Sequence, residues 1–157
     1  VRKVRGFTLI EIAMSVFILL LILALAVPSL KGVLADRRAH RSLNDLNNLV
    51  RQAQERSVTE RRPYLIVWTG KSFELRPETF AKGEEKAPTA SMSILRGESF
   101  AIKFPAAYEK NPPAEWIFWP SGTCEPASVS FQGGSGSWTA NYSALTARPA
   151  LANYVAK

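Results

Sequence analysis

The chain of 157 residues carries 20 Lys or Arg against 13 Asp or Glu, a formal net charge of +7, with one cysteine and one histidine. That length leaves room for one modest domain beside a membrane segment, and with Cys124 and His40 each alone of its kind, an internal disulfide, a several-cysteine metal site, a two-histidine zinc site and a histidine-based triad are all unsupported. The charge invites a nucleic-acid partner, but residues 1–62 hold eleven basic and five acidic side chains (+6) whereas residues 63–157 hold nine and eight (+1), so the basicity belongs to the amino-terminal part.

The first predicted element is apolar. Arg2, Lys3 and Arg5 precede Gly6, and from Phe7 to Val27 run 21 residues interrupted only by Thr8, Glu11 and Ser15. About 20 apolar residues in a helix span the roughly 30 Å of bilayer hydrocarbon. A secretory signal has its cleavage site after a short apolar core, whereas here the basic stretch and Gly6 come before it, so the run is expected to stay with the mature chain. Glu11 is expensive in such a place. An acid near the centre of a membrane helix costs roughly 2.5–3.5 kcal/mol, which makes it a functional candidate unless the segment is a plain anchor that tolerates it near one end.

The register of Arg2-Lys3-Val4-Arg5-Gly6 and Phe7-Thr8-Leu9-Ile10-Glu11 resembles the processing motif of type IV pilins and type II secretion pseudopilins. The resemblance implies cleavage between Gly6 and Phe7 by a membrane prepilin peptidase and methylation of Phe7 as the new terminus. It also implies pairing of Glu11 with the terminal ammonium of a neighbouring subunit, which sets register during assembly. A partner in low dielectric recovers much of the cost of a buried charge, in keeping with that role. The charge flanking the run is nearly balanced, since Lys31, Arg37, Arg38 and Arg41 follow it. It is the resemblance that places the head outside the cytoplasm.

Beyond the run, Ala39, Leu43, Leu46, Val50 and Ala53 recur at three- and four-residue spacing, with Arg38, Arg41, Asp45, Asn48, Arg51, Gln52 and Glu55 on other faces. This predicts one helix over 7–62 with one covered face in its second half. Pro63 is expected to end it, and Pro28, with Gly32 close behind, to kink or loosen it. Pilins often carry a proline at the corresponding place.

From Tyr64 the pattern changes to strands. Tyr64 to Thr69 and Ser72 to Arg76 flank Gly70-Lys71 and predict a hairpin with a two-residue turn. Further strands are expected at Ser91 to Leu95, Phe100 to Phe104, Trp116 to Trp119, Ser128 to Phe131 and Ser137 to Ser143, with Lys82 to Pro88 a solvated loop. The expected fold is α+β: a long amino-terminal helix, membrane-spanning over 7–27, packed on an antiparallel sheet or sandwich head over 63–157. Phe118-Trp119-Pro120-Ser121-Gly122 followed by a strand, with Leu145-Thr146-Ala147-Arg148 near the end, is similar to the H-type minor pseudopilins and the FimT/FimU-type minor pilins. Ala147 stands where that resemblance implies glycine.

Several signals carry no site. Gly70-Lys71-Ser72 lacks the earlier glycine of a phosphate loop, the glycines of 132–137 precede no helix, and Asn141-Tyr142-Ser143 sits in a strand pattern. Trp68, Trp116, Trp119 and Trp138 alternate with apolar rather than basic residues and are expected in the core, and Cys124 is expected to be buried or close to the surface of a packed contact. Glu109, Glu115 and Glu125 make no catalytic pair, and neither an enzyme nor a cofactor is expected. The resemblance implies a minor pseudopilin or minor pilin, with the prepilin peptidase, other subunits and inner-membrane lipid as partners and the head in the periplasm. The alternatives are a DNA-binding minor pilin for transformation, relying on Arg148 and Lys157, and an ordinary anchor that keeps residues 1–6.

Overall fold

The computed structural model describes residues 8–105, 114–134 and 136–156, and for residues 24–36 and 156 the backbone alone. One helix, α1, runs from Leu9 to Thr59, 51 residues or about 77 Å at 1.5 Å per residue. Thr8 caps its start reciprocally: the Thr8 hydroxyl accepts from the Glu11 amide, and the Glu11 carboxylate reaches back to the Thr8 amide. The backbone stays helical through Pro28 and Gly32.

The helix ends three residues earlier than the sequence predicts. Glu60 donates its amide to the Arg56 carbonyl, and Arg61 takes the left-handed conformation at φ +52. That geometry terminates a helix and is usually given to glycine. Pro63 then keeps Arg62 out of helical geometry. The proline is therefore a second stop behind the one at Arg61.

Eight strands follow: β1 Tyr64–Trp68, β2 Ser72–Pro77, β3 Ala90–Ser93, β4 Ser99–Lys103, β5 Glu115–Phe118, β6 Ala127–Gly133, β7 Gly136–Tyr142 and β8 Pro149–Ala156. They form two antiparallel sheets, ordered β3-β2-β1-β5 and β4-β6-β7-β8. The β1–β2 hairpin has the expected two-residue turn, with Thr69 pairing Ser72 and Gly70 supplying the positive φ of +82. The glycines after Gln132 close the β6–β7 hairpin, where Gly133 pairs Gly136.

The second half of α1 lies on both sheets. All five residues predicted for its covered face are buried, and Leu49 joins them. Each buried Leu or Val contributes about 1.5–3 kcal/mol over leaving it exposed. Beneath the helix, rings from the two sheets meet: Phe73 with Phe100 at 5.1 Å and Trp116 with Tyr142 at 4.8 Å, both edge-on. Trp116 and Trp138 are core residues as predicted, whereas Trp68 is half-buried and Trp119 is 38% exposed.

Candidate assembly surface on the amino-terminal helix

The two halves of α1 are treated oppositely by the rest of the chain. The second half is tied to the head by side-chain hydrogen bonds as well as by its apolar face. Trp138 Nε1 donates to Ser42 Oγ at 2.9 Å, the Tyr142 hydroxyl to Asn47 Oδ1 at 2.6 Å, and Gln54 Nε2 to the Gly122 carbonyl at 2.7 Å. Ser57 Oγ, fully buried, lies 3.1 Å from the Trp119 carbonyl. Two of these ties land on the Trp119-Pro120-Ser121-Gly122 turn. Gly122 there adopts φ +82 and donates to the Trp119 carbonyl at 2.9 Å, while Thr123 pairs back onto Trp119, a glycine-closed tight turn. The motif singled out in the sequence is thus the seat of the helix end.

The described side chains of the first half, as far as Leu23, face outward. Leu9, Ile10, Ile12, Met14 and every residue from Val16 to Leu23 are between 50% and 87% exposed. Eight consecutive residues cover more than two turns, so the surface is apolar all round, as in helices that lie inside a bundle or a bilayer. The hydroxyl of Ser15 donates to the Glu11 carbonyl at 2.7 Å and is satisfied within the helix. Glu11 is then the one charge of the described apolar segment, in its first turn, where the helix dipole favours an anion. Gly6 and Phe7 lie outside the described residues. Among the described residues no helix is long and apolar enough to cross a membrane, and the described side chains of the run stop at Leu23, four short of Val27.

Groups that could do chemistry are occupied otherwise. Cys124 is buried, its thiol donates to the Ser143 carbonyl at 3.5 Å, and burial pushes its pKa up to about 11. Glu115 pairs with Arg76 at 3.0 Å, and burial raises the Glu125 carboxyl above its ordinary range. Glu109 lies outside the described residues. Among the described residues no group of three or more His, Cys, Asp or Glu could hold a metal ion.

The Leu145–Arg148 element closes the β7–β8 connection. Ala147 is buried with φ +50, where glycine would be unstrained, which gives the physical reason for the glycine implied by the resemblance. The sequence reading missed β8. Ala152 is left over where the pairing slips between Thr139 and Ala140, so the period-two pattern that identifies a strand is broken.

No protein-family model and no curated protein matches the chain. Solved structures do. The type IV minor pilin FimU of Pseudomonas aeruginosa PAO1 superposes with a TM-score of 0.55 at 16% identity, over 75% of this chain and 90% of that one. The minor pseudopilin EpsH of the type 2 secretion system of Vibrio cholerae matches in two structures, with TM-scores of 0.54 and 0.51 at 11% and 12% identity, over about three quarters of this chain and 96% of each. The chain has the fold shared by these minor pilin and pseudopilin heads.

Proposed function

We propose that this protein is a structural subunit of a pseudopilus or type IV pilus-like filament, in the place of a minor pseudopilin or minor pilin. One observation carries the reading: the second half of α1 is locked onto a folded head, while the described side chains from Leu9 to Leu23 present an exposed apolar surface with a single acid in the first turn. Such a surface needs lipid first and other helices afterwards. In this reading residues 7–27 hold the precursor in the inner membrane with the head in the periplasm. A prepilin peptidase cuts between Gly6 and Phe7 and Phe7 is methylated. Glu11 then pairs with a neighbour's terminal ammonium as the helix leaves the bilayer for the filament. Pro28 marks the place where the helix loosens on packing, since proline deletes one hydrogen bond there.

Intact-mass and amino-terminal sequencing of the protein expressed with and without a prepilin peptidase tests the reading. A mature chain starting at methylated Phe7 supports it, and an intact leader beside an active peptidase returns the protein to the simple-anchor class. A DNA-uptake role would draw on few phosphate contacts, because the head carries only +1 and Arg148 is the one basic residue of its described carboxyl-terminal part.

A further inference from the structure

Just past the apolar run the chain turns basic. Residues 31–41 hold Lys31, Arg37, Arg38 and Arg41 against Asp36, a net +3 (4 − 1) in eleven residues, compared with +1 for the whole of 63–157. Arg37, Arg38 and Arg41 are exposed on α1. At positions i, i+1 and i+4 they fall within about 100° of the helix circumference, on one side. Among the described residues Arg37 and Arg38 have no ion-pair partner. Arg41 has only Asp45 at 3.9 Å, with the Arg41 side chain 84% exposed, a pair of negligible strength. Arginines here also work against membrane orientation, since basic residues favour the cytoplasmic side of a span. Three exposed arginines that have no strong ion pair among the described residues and oppose topology call for an anionic partner.

We propose that Arg37, Arg38 and Arg41 form a collar that binds the headgroups of anionic phospholipid at the membrane surface where the helix emerges, and so hold the unassembled head close to the bilayer. This rests on the reading of residues 7–27 as a span. Arg37 stands ten residues past Val27, about 15 Å along the helix, and Arg41 about 21 Å. Headgroups extend about 5–8 Å beyond the hydrocarbon. Long helical side chains point back toward the amino terminus, here toward the membrane, and charges act over a Debye length of about 8 Å. With the arm turned toward the membrane, Arg37 and Arg38 come within a few ångströms of the headgroup layer, and all three arginines lie within its field. Arg38 and Arg41 also line a cleft of about 330 Å³ against the edge strand β3. Its two acids offset part of their charge, but Asp45 sits a turn further from the membrane and Glu98 accepts the Leu95 amide. Each arginine near an anionic surface is worth roughly a fivefold gain in association.

The test uses the full chain reconstituted in phosphatidylcholine vesicles with and without phosphatidylglycerol, carrying a headgroup-linked acceptor for tryptophan fluorescence. Transfer from the head is expected to rise with phosphatidylglycerol and to collapse at high salt. It should be lost in the triple variant Arg37→Gln/Arg38→Gln/Arg41→Gln and retained when all three are changed to Lys. The three side chains are exposed, so the glutamine variant keeps its helicity and melting temperature. Equal transfer in both vesicle types, or transfer that survives in the glutamine variant, overturns the collar. A glutamine variant that keeps lipid transfer but loses cross-linking to a neighbouring subunit assigns the arginines to an acidic protein surface and overturns it as well. Flotation on phosphatidylcholine alone reads the span separately: its loss overturns the span and the collar with it, whereas flotation retained with transfer indifferent to phosphatidylglycerol overturns the collar alone.

Discussion

Arg61 shows what a single residue can conceal. Its left-handed φ of +52 ends the helix, yet an arginine in a basic, helix-prone stretch gives no sign of a stop, and the sequence points instead to Pro63. A non-glycine residue held there costs about 1 kcal/mol, and the Arg61 side chain is exposed, so Arg61→Gly is expected to stabilise the protein by about that amount and raise its melting temperature by roughly 2–4 °C. A thermal melt of the two proteins in the same detergent decides it, and an unchanged or lower midpoint would refute the strain. The neighbouring charges are equally local. Arg62 forms a fork onto Glu84 at 2.6 and 2.7 Å and bonds Glu60 at 2.6 Å, and Glu60 accepts from the Tyr64 hydroxyl at 2.7 Å. The Arg62 guanidinium and the Ala81 amide hold Glu84 at about 2, down from an ordinary 4.5, and the Tyr64 hydroxyl leads in lowering Glu60. For a lowered carboxyl the stability is fully present above about pH 4.5 and is lost as pH falls toward 2. Glu84→Gln should therefore flatten the fall in melting temperature across that window and leave the slope above it unchanged; an acid limb as steep as before would remove Glu84 from the account.

Among the elements, α1 was legible where its contacts are apolar and illegible where they are polar. Period-3.6 spacing picks out Ala39, Leu43, Leu46, Val50 and Ala53, but an apolar pattern has nothing to say about Ser42 and Ser57, which are both buried and each bonded to a group of the head. Two truncations separate these ties. Ser42→Ala strands the indole N–H of Trp138, which is 1% exposed, and is expected to cost about 1–3 kcal/mol, the desolvation penalty of an unpaired buried donor. Tyr142→Phe removes the hydroxyl but leaves Asn47 half-exposed, able to turn to water, and should cost only about 0.5–1.5 kcal/mol. Denaturant titrations that rank the two the other way would show that Ser42 is not the indole's essential acceptor. The same limit explains β8: strands with clean alternation, such as Ser72–Pro77, were readable, and the strand whose alternation is broken by the slip at Thr139 was not.

On the scale of the whole molecule, the proposed function assigns burial inside the chain and burial between chains to different halves of one helix, and only the first can be read from an isolated fold. On the proposed reading, the motif from Arg2 to Glu11 is plain in the sequence because a peptidase would read it linearly, whereas a surface covering Leu9 to Leu23 would be contributed by other molecules and leave no trace in this chain beyond the scarcity of polar side chains. Glu11 separates the two kinds of burial experimentally. The only described partner of its carboxylate is the Thr8 amide, far along the helix from the head, whose described contacts with α1 begin at Ala39. Glu11→Leu should leave the melting temperature of the head unchanged while lowering filament incorporation at least tenfold, because the neighbour's terminal ammonium would be left unpaired in a low-dielectric core. Glu11→Asp, which keeps the charge on a shorter arm, should recover part of the incorporation. Quantifying the variants in sheared filament fractions reads the effect directly. If Glu11→Leu assembles as well as the parent protein, the acid is a helix cap and nothing more, and register must come from the packing of the apolar side chains.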